Sequence, residues 1–413
     1  MLRSQVVVIG AGQSGLAVSA LLTAAAVDHV VLERGRTAQR WRAERWASLR
    51  LLTPNWMTRL PGWAYRGDDP DGFLTAAEVT EYLDEYATSF SAPLLHHAPV
   101  HFVRPAPAGG YRVVSDAGTF TADAVVVATG YCERAAKHAA AERIHPGVTQ
   151  LDATSYRSPA DAGRHVLVVG ASATGVQLAD ELAASGRRVV LAVGRHTRMP
   201  RSYRGMDIFW WLDSMGTLSR PLDPARRRHE PSLQLSGRSP AHTVDLNALA
   251  GRGIALTGRL LDVRDGVARF ADDLTNTTAD ADRRLNRLLD RIDEHATAIG
   301  LDGEVDDPIR PSPTTPMIRP ARIDVGGSGV DTVLWATGYA RSYPWLQVPG
   351  VLGPDGEILQ RAGITPAPGL VVLGMAGQTR LSSTYLDGVR YDAEALVDHL
   401  CTDVLRMPVR SRS

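Results

Sequence analysis

Apolar residues in this chain come mostly in short runs, and two of those runs end in the same way. Val6 to Ile9 is an unbroken apolar stretch closed by Gly10, and Val166 to Val169 is another, closed by Gly170. A run of that length bounded by glycine predicts a buried strand entering a tight turn. After each turn an amphipathic helix is predicted, then a second apolar run: His29 to Glu33 in the first copy, Arg188 to Val193 in the second. The copies stand at a constant offset of 160 residues, so Gly10 matches Gly170 and Gly15 matches Gly175. A second motif also repeats, since AVVVATGY at 124–131 returns as TVLWATGY at 332–339. Strands alternating with helices predict an α/β fold with two Rossmann-like dinucleotide-binding domains.

Two irregular stretches suggest where the domains join. Residues 155–163 hold Pro159 and two serines, and residues 306–316 are dense in proline. Proline suits neither a helix interior nor a central strand. Read as the two crossings, they give a first domain of 1–160 and 311–413 and a second, inserted domain of 161–310. Within the insert, Leu285, Leu288, Leu289, Ile292, Ala296 and Ile299 recur at helical spacing. They predict a helix over 272–299, a covering insertion or else a lid or dimer contact.

Composition narrows the class. Lys+Arg and Asp+Glu both number 45, so no net field points to nucleic acid or an anionic membrane. Two distant cysteines, Cys132 and Cys401, exclude a disulfide framework, a CxxC redox pair and a cysteine-built zinc site. The twelve histidines show no metal spacing. With no apolar window long enough to span a bilayer, a cytoplasmic protein in a reducing compartment is expected. A homodimer is left open.

The turns carry the chemistry. Gly10, Gly12, Gln13, Ser14 and Gly15 lie on a GxGxxG turn between a strand and a helix, and Glu33 closes the next strand. There the first glycine permits the turn, the second admits a pyrophosphate and the third lets the helix pack closely. The helix N-terminus then offers free N–H groups to the phosphates, and Glu33 stands where ribose hydroxyls are held. The second turn, with Gly170, Ser172, Ala173, Thr174 and Gly175, has serine in place of the middle glycine. Its strand ends in Val193 rather than a carboxylate, followed by Gly194, Arg195 and His196. An arginine there suits the 2′-phosphate of NADPH by a charge-assisted pair.

Two such turns and two Ala-Thr-Gly-Tyr motifs resemble the class B flavin-dependent monooxygenases, which include the flavin-containing, YUCCA, N-hydroxylating and Baeyer–Villiger enzymes. The resemblance covers almost the whole chain, with 272–299 its least typical part. It implies FAD on the first turn and NADP(H) on the second. FAD would be contacted also by Arg34, Trp41, Trp46, Leu51, Thr53, Pro54, Val100, Ala128, Thr129 and Gly130. Ala336, Thr337 and Gly338 would serve NADP(H), and Asn55 would position NADP⁺ and the oxygenated flavin. The family's FxGxxxHxxxY signature is reduced to Tyr156, with Pro146, Val148 and Asp152 at its other positions.

The implied reaction uses NADPH and O₂, forms a C4a-(hydro)peroxyflavin and oxygenates a small molecule at N or S. Oxygenation of a carbonyl, an NADPH oxidase without oxygen transfer and a redox-sensing binding protein stay open. Gln378, Arg380 and Ser382 are candidates to face the flavin or the substrate. The aromatic run Phe209, Trp210 and Trp211 reads as ordinary core or as the lining of a substrate entrance.

Overall fold

The computed structural model describes residues 1–221, 231–238, 243–315 and 320–407. β1 (Leu2–Ile9) leads through the first turn into α1 (Gln13–Ala24) and back into β2 (His29–Leu32). After α2 (Ala76–Ser89) come β3 (Leu94–Leu95), β4 (Val100–Pro105), β5 (Tyr111–Ser115) and β6 (Gly118–Val127). The second repeat contributes β7 (Thr149–Asp152), β8 (His165–Val169), α3 (Ala173–Ala184) and β9 (Arg188–Ala192). Then follow α4 (Ile208–Ser214), β10 (Ala255–Thr257), α5 (Leu274–Ala298), β11 (Thr332–Trp335), β12 (Leu370–Val372) and α6 (Val389–His399).

The first sheet runs β3-β2-β1-β6-β5-β4, with β12 parallel to the end of β6. The second runs β7-β11-β8-β9-β10 and is parallel throughout. Each nucleotide strand is buried on both faces, as a central parallel strand must be. Val6 and Val8 face α1 and α6, while Val7 and Ile9 face the layer formed with β5. In the second unit Val166 and Val168 pack toward α3, and Leu167 and Val169 face the other side.

The crossings between the units differ from the expected ones. β7 and β11, assigned from sequence to the first domain, are strands of the second sheet. The chain passes between the units instead near an antiparallel ribbon in which Tyr339 pairs with Ala135 and Ala340 with Arg134. The proline-dense stretch lies along α5 within the second unit, as far as Thr315, where the description stops short of Pro316. Its carbonyls are taken by side chains there: Arg198 donates to Ser312 at 2.9 Å and Asn247 to Pro313 at 2.9 Å. Proline marked irregular backbone, not a change of domain.

α5 matches the expected helix within two residues. Its stripe of Leu285, Leu288, Leu289, Ile292 and Ala296 enters a core shared with Phe209, Trp211 and Leu212 of α4. Ile299, expected in that stripe, is 46% exposed because the helix has already ended at Ala298. Polar pins hold the other faces. Asp282 meets the buried Arg198 at 2.7 Å, and Asp293 accepts from the Tyr203 hydroxyl at 3.0 Å.

Candidate cofactor and substrate site

Both glycine turns open on one cavity of about 1470 Å³ between the C-terminal ends of the two sheets. Drug-sized pockets are usually about 300–1,000 Å³, so this one is large enough to call for more than a single small ligand. The turns are built alike. Gly10 has φ +104° and Gly170 φ +107°, a region that L side chains rarely adopt. A Cβ on Gly15 would collide with the Gly10 carbonyl oxygen, and one on Gly175 with that of Gly170. The repeated Ala-Thr-Gly segments now have a reason. Cβ atoms on Gly10 and Gly170 would run into the carbonyls of Ala128 and Ala336, so each segment backs its own turn.

The middle position behaves differently. A Cβ on Gly12 would meet no protein atom within 4 Å, and its backbone, φ −86° and ψ −173°, suits any residue. Protein packing therefore does not require glycine there, whereas a group entering from the cavity would. Ser172 has nearly the same backbone, φ −82° and ψ −173°, and its side chain does not cap α3. Among the described residues its hydroxyl is left to the cavity. These open cradles at two helix N-termini fit two pyrophosphates.

On the first side Glu33 is buried at the end of β2. Its carboxylate accepts from Ala11 N–H at 2.8 Å and Gly35 N–H at 3.0 Å, and it lines the cavity beside Arg34 and Val100. Trp41, Trp46, Leu51, Thr53, Ala128, Thr129 and Gly130 line it as well. Trp46 also packs into the core of the second unit, and Ser48 donates to Glu181 of α3 at 2.9 Å. The 41–53 loop thus fastens one unit to the other beneath the cavity. From the far end of the chain, Gly374 passes so close to Ser14 Oγ that no Cβ would fit.

Around the second turn the cavity is lined by Ala173, Thr174, Ala336, Thr337 and Gly338. Arg195, past the end of β9, is exposed and has no ion pair or hydrogen bond among the described residues. Two further cations missed from sequence join it: Arg259, 3.6 Å from Asp273, and Arg284, which donates to the His196 carbonyl at 2.8 Å. They come from separate elements, so no local pattern could have gathered them.

Several candidates do not face the cavity. His196 is fully buried, with Nδ1 at 3.0 Å from the Gly194 carbonyl and a pKa lowered by burial. Asn55 is also buried. Its Nδ2 donates to Asp69 O at 2.9 Å, and Oδ1 accepts from Leu74 N at 2.9 Å, so both polar ends fasten the 69–74 loop. Gln378 is buried beside Gly363, and Arg380 stacks at 3.9 Å on Tyr391. Ser382 donates to the Leu218 carbonyl at 3.0 Å. From the same loop the cavity receives Ala376, Gly377, Leu381, Thr384 and Tyr385 instead. Asp152, at the lost histidine position, caps its own turn by accepting from Thr154 N at 2.9 Å. Tyr156 is buried and donates to Glu181 at 3.2 Å, which ties the segment after β7 to α3 within the second unit.

Part of the cavity is an apolar chamber. Phe209, Leu212 and Leu218 form one wall, Leu285 and Leu288 of α5 another, and Leu381 and Tyr385 a third. Phe209 and Tyr385 meet edge-to-face at 5.9 Å. The Tyr385 hydroxyl has no partner among the described residues, and burial pushes its pKa up to about 12. Nearby, Tyr131 and Tyr339 end the two repeated motifs beside Arg45 and Cys132. The pKa of Tyr339 is raised to about 12 by burial and the neighbouring thiol, and burial raises that of Cys132. Both cysteines are free.

Comparison with known proteins agrees with this architecture. The model of a pyridine nucleotide-disulphide oxidoreductase family matches residues 7–207. An uncharacterised CzcO-like oxidoreductase of Geobacillus kaustophilus is 29% identical over 96% of this chain and 97% of its own. The indole-3-pyruvate monooxygenase YUCCA8 of rice is 32% identical over 49% of this chain and 51% of its own. A flavin-containing monooxygenase from Stenotrophomonas maltophilia has the same fold, with a TM-score of 0.67 at 22% identity, covering 97% and 100% of the two chains. Given the doubled turn and its shared cavity, the chain has the fold of the flavin-containing monooxygenases, and its likenesses support a class B flavin-dependent monooxygenase-like protein.

Proposed function

We propose that the chain is an NADPH-dependent FAD monooxygenase that oxygenates a small molecule at a nitrogen or sulfur atom. One observation carries the reading: two phosphate-binding turns converge on a single cavity that continues into an apolar chamber. FAD belongs on the first turn, with Gly12 admitting its pyrophosphate and Glu33 and Val100 at its adenosine end. NADP(H) belongs on the second, in a domain that interrupts the FAD domain, with Arg195, Arg259 and Arg284 toward the 2′-phosphate. The free cysteines support a reducing, cytoplasmic setting.

When bound, FAD supplies the redox chemistry, taking hydride from NADPH and activating O₂. The chain's own residues bind, orient and exclude water. Phe209, Leu212, Leu285 and Leu288 wall off the chamber, which protects an activated oxygen from hydrolytic loss. None of the chamber residues named above is a carboxylate or a histidine, so the substrate must bring its own nucleophilicity, as a thioether or an unprotonated amine does. A panel of one thioether, one amine and one ketone under ¹⁸O₂ tests this. Label in the sulfoxide or hydroxylamine supports it; NADPH consumption with no labelled product refutes it.

Tyr385 favours a second reading, since its unpartnered hydroxyl could hold a carbonyl oxygen. Tyr385→Phe separates the two. With a thioether the variant keeps the wild-type kcat/KM. If a ketone is the true substrate, losing one neutral hydrogen bond of about 0.5–1.5 kcal/mol lowers it roughly 2- to 12-fold. Because the hydroxyl titrates only near pH 12, no activity change between pH 6 and 10 is assigned to it.

A further inference from the structure

We infer that the substrate is an amphipathic carboxylate, its apolar body seated between α4 and α5 and its acidic group held by Arg291. This rests on the monooxygenase reading and specifies the substrate class for the same cavity. The argument is an accounting of positive charge. On the flavin side, Arg34 and Arg40 reach Glu44, Arg45 donates to the Glu44 carbonyl at 3.4 Å and lies over Trp41, and Arg341 reaches Glu357 at 2.6 Å. On the nucleotide side Arg198, Arg259 and Arg284 have the partners given above.

Two arginines of the cavity lining remain without an ion pair or hydrogen bond among the described residues: Arg195 and Arg291. Arg195 stands at the strand end where a 2′-phosphate belongs. Arg291 has no such assignment. It lies seven residues beyond Arg284 on the same face of α5, about 10 Å further along the axis at 1.5 Å per residue. That displacement carries it away from the nucleotide arginines. The same end of α5 approaches α4, where His295 lies 2.8 Å from the Ser214 hydroxyl.

Arg291 therefore adds a cation to a chamber otherwise walled by Phe209, Leu212, Leu218, Leu285 and Leu288. Arg291 is exposed at the edge of that chamber, and a pocket with an apolar body and a cation at its rim selects ligands of the same pattern. A guanidinium can hold a carboxylate with two parallel hydrogen bonds. Neutral amines or thioethers without an acidic group would leave that cation unused.

The test is calorimetry on the oxidised, flavin-loaded protein with NADP⁺ present, using 4-phenylbutyrate and its neutral isostere 4-phenylbutyramide. No turnover is involved, so the outcome is independent of whether oxygen is transferred. Wild type is expected to bind the carboxylate at least 10-fold more tightly than the amide, and Arg291→Gln to abolish that preference while keeping the amide affinity. Arg287→Gln, at an exposed position of α5 outside the cavity lining, serves as the control and should leave the preference intact. Equal binding of the two probes, binding of neither, or a preference that survives Arg291→Gln overturns the inference. So does a loss in Arg291→Gln that falls on NADP⁺ affinity, which would assign the residue to the nucleotide.

Discussion

Gly12→Ala should yield a folded protein that has lost its flavin, whereas Gly15→Ala should damage the fold itself. The two glycines share one motif but differ in what surrounds them. At Gly12 the backbone is in an ordinary extended region and a new methyl meets no protein atom. An alanine compatible with its backbone usually stabilises by about 0.4–1 kcal/mol, because the unfolded chain loses freedom. The flavin-stripped variant should therefore melt at or slightly above the temperature of the flavin-stripped wild type. Its methyl nevertheless occupies the approach of the pyrophosphate, so flavin bound per protein should fall to a small fraction. At Gly15 the methyl would collide with the Gly10 carbonyl, and α1 must move off the sheet. Overpacking of this kind costs about 1–3 kcal/mol or more, several degrees in melting temperature for a domain of this size. Stoichiometric flavin in Gly12→Ala, or an unchanged melting temperature in Gly15→Ala, would contradict the assignment.

Arg195→Gln should weaken NADPH binding about 10-fold or more and leave NADH binding unchanged. Removing one charge-assisted hydrogen bond of about 1.5–3 kcal/mol raises the dissociation constant roughly 10- to 150-fold. Arg259 and Arg284 remain nearby and favour the lower part of that range. NADH affinity should stay at the wild-type value, because NADH has no 2′-phosphate to lose. Anaerobic titration of flavin reduction with each nucleotide reads both constants. An equal loss for NADH and NADPH would place Arg195 on the pyrophosphate instead.

Much of this site was legible in the chain because glycine leaves a steric signature. Gly10, Gly15, Gly170 and Gly175 stand where no Cβ fits, and selection for that fit appears as a repeat at fixed offset. The Ala-Thr-Gly motifs were visible as repeats, but their purpose, backing Gly10 and Gly170, needed the sheet order. The crossings were misplaced because proline reports a backbone unable to pair, and the 306–315 stretch is unpaired inside the second unit, along α5. Asn55 follows a loop that lines the cavity, yet position along a loop does not tell which way a side chain points. An asparagine just after Pro54 is a turn residue whose usual partners are backbone groups, and that is what Asn55 does. Gln378 and Arg380 failed for the same reason. Arg259 and Arg284 reach the same cavity from separate elements, which only the three-dimensional structure reveals.

The most direct test of oxygen transfer uses the reduced protein without substrate. Protein reduced anaerobically with one equivalent of NADPH is mixed with O₂, and oxygen uptake and hydrogen peroxide release are followed together. A monooxygenase that keeps its activated oxygen in a dry chamber should take up O₂ well before peroxide appears, and Phe209→Ala, which opens that chamber, should shorten the delay. Uptake and release that coincide in both proteins would contradict the account and make the chain an NADPH oxidase.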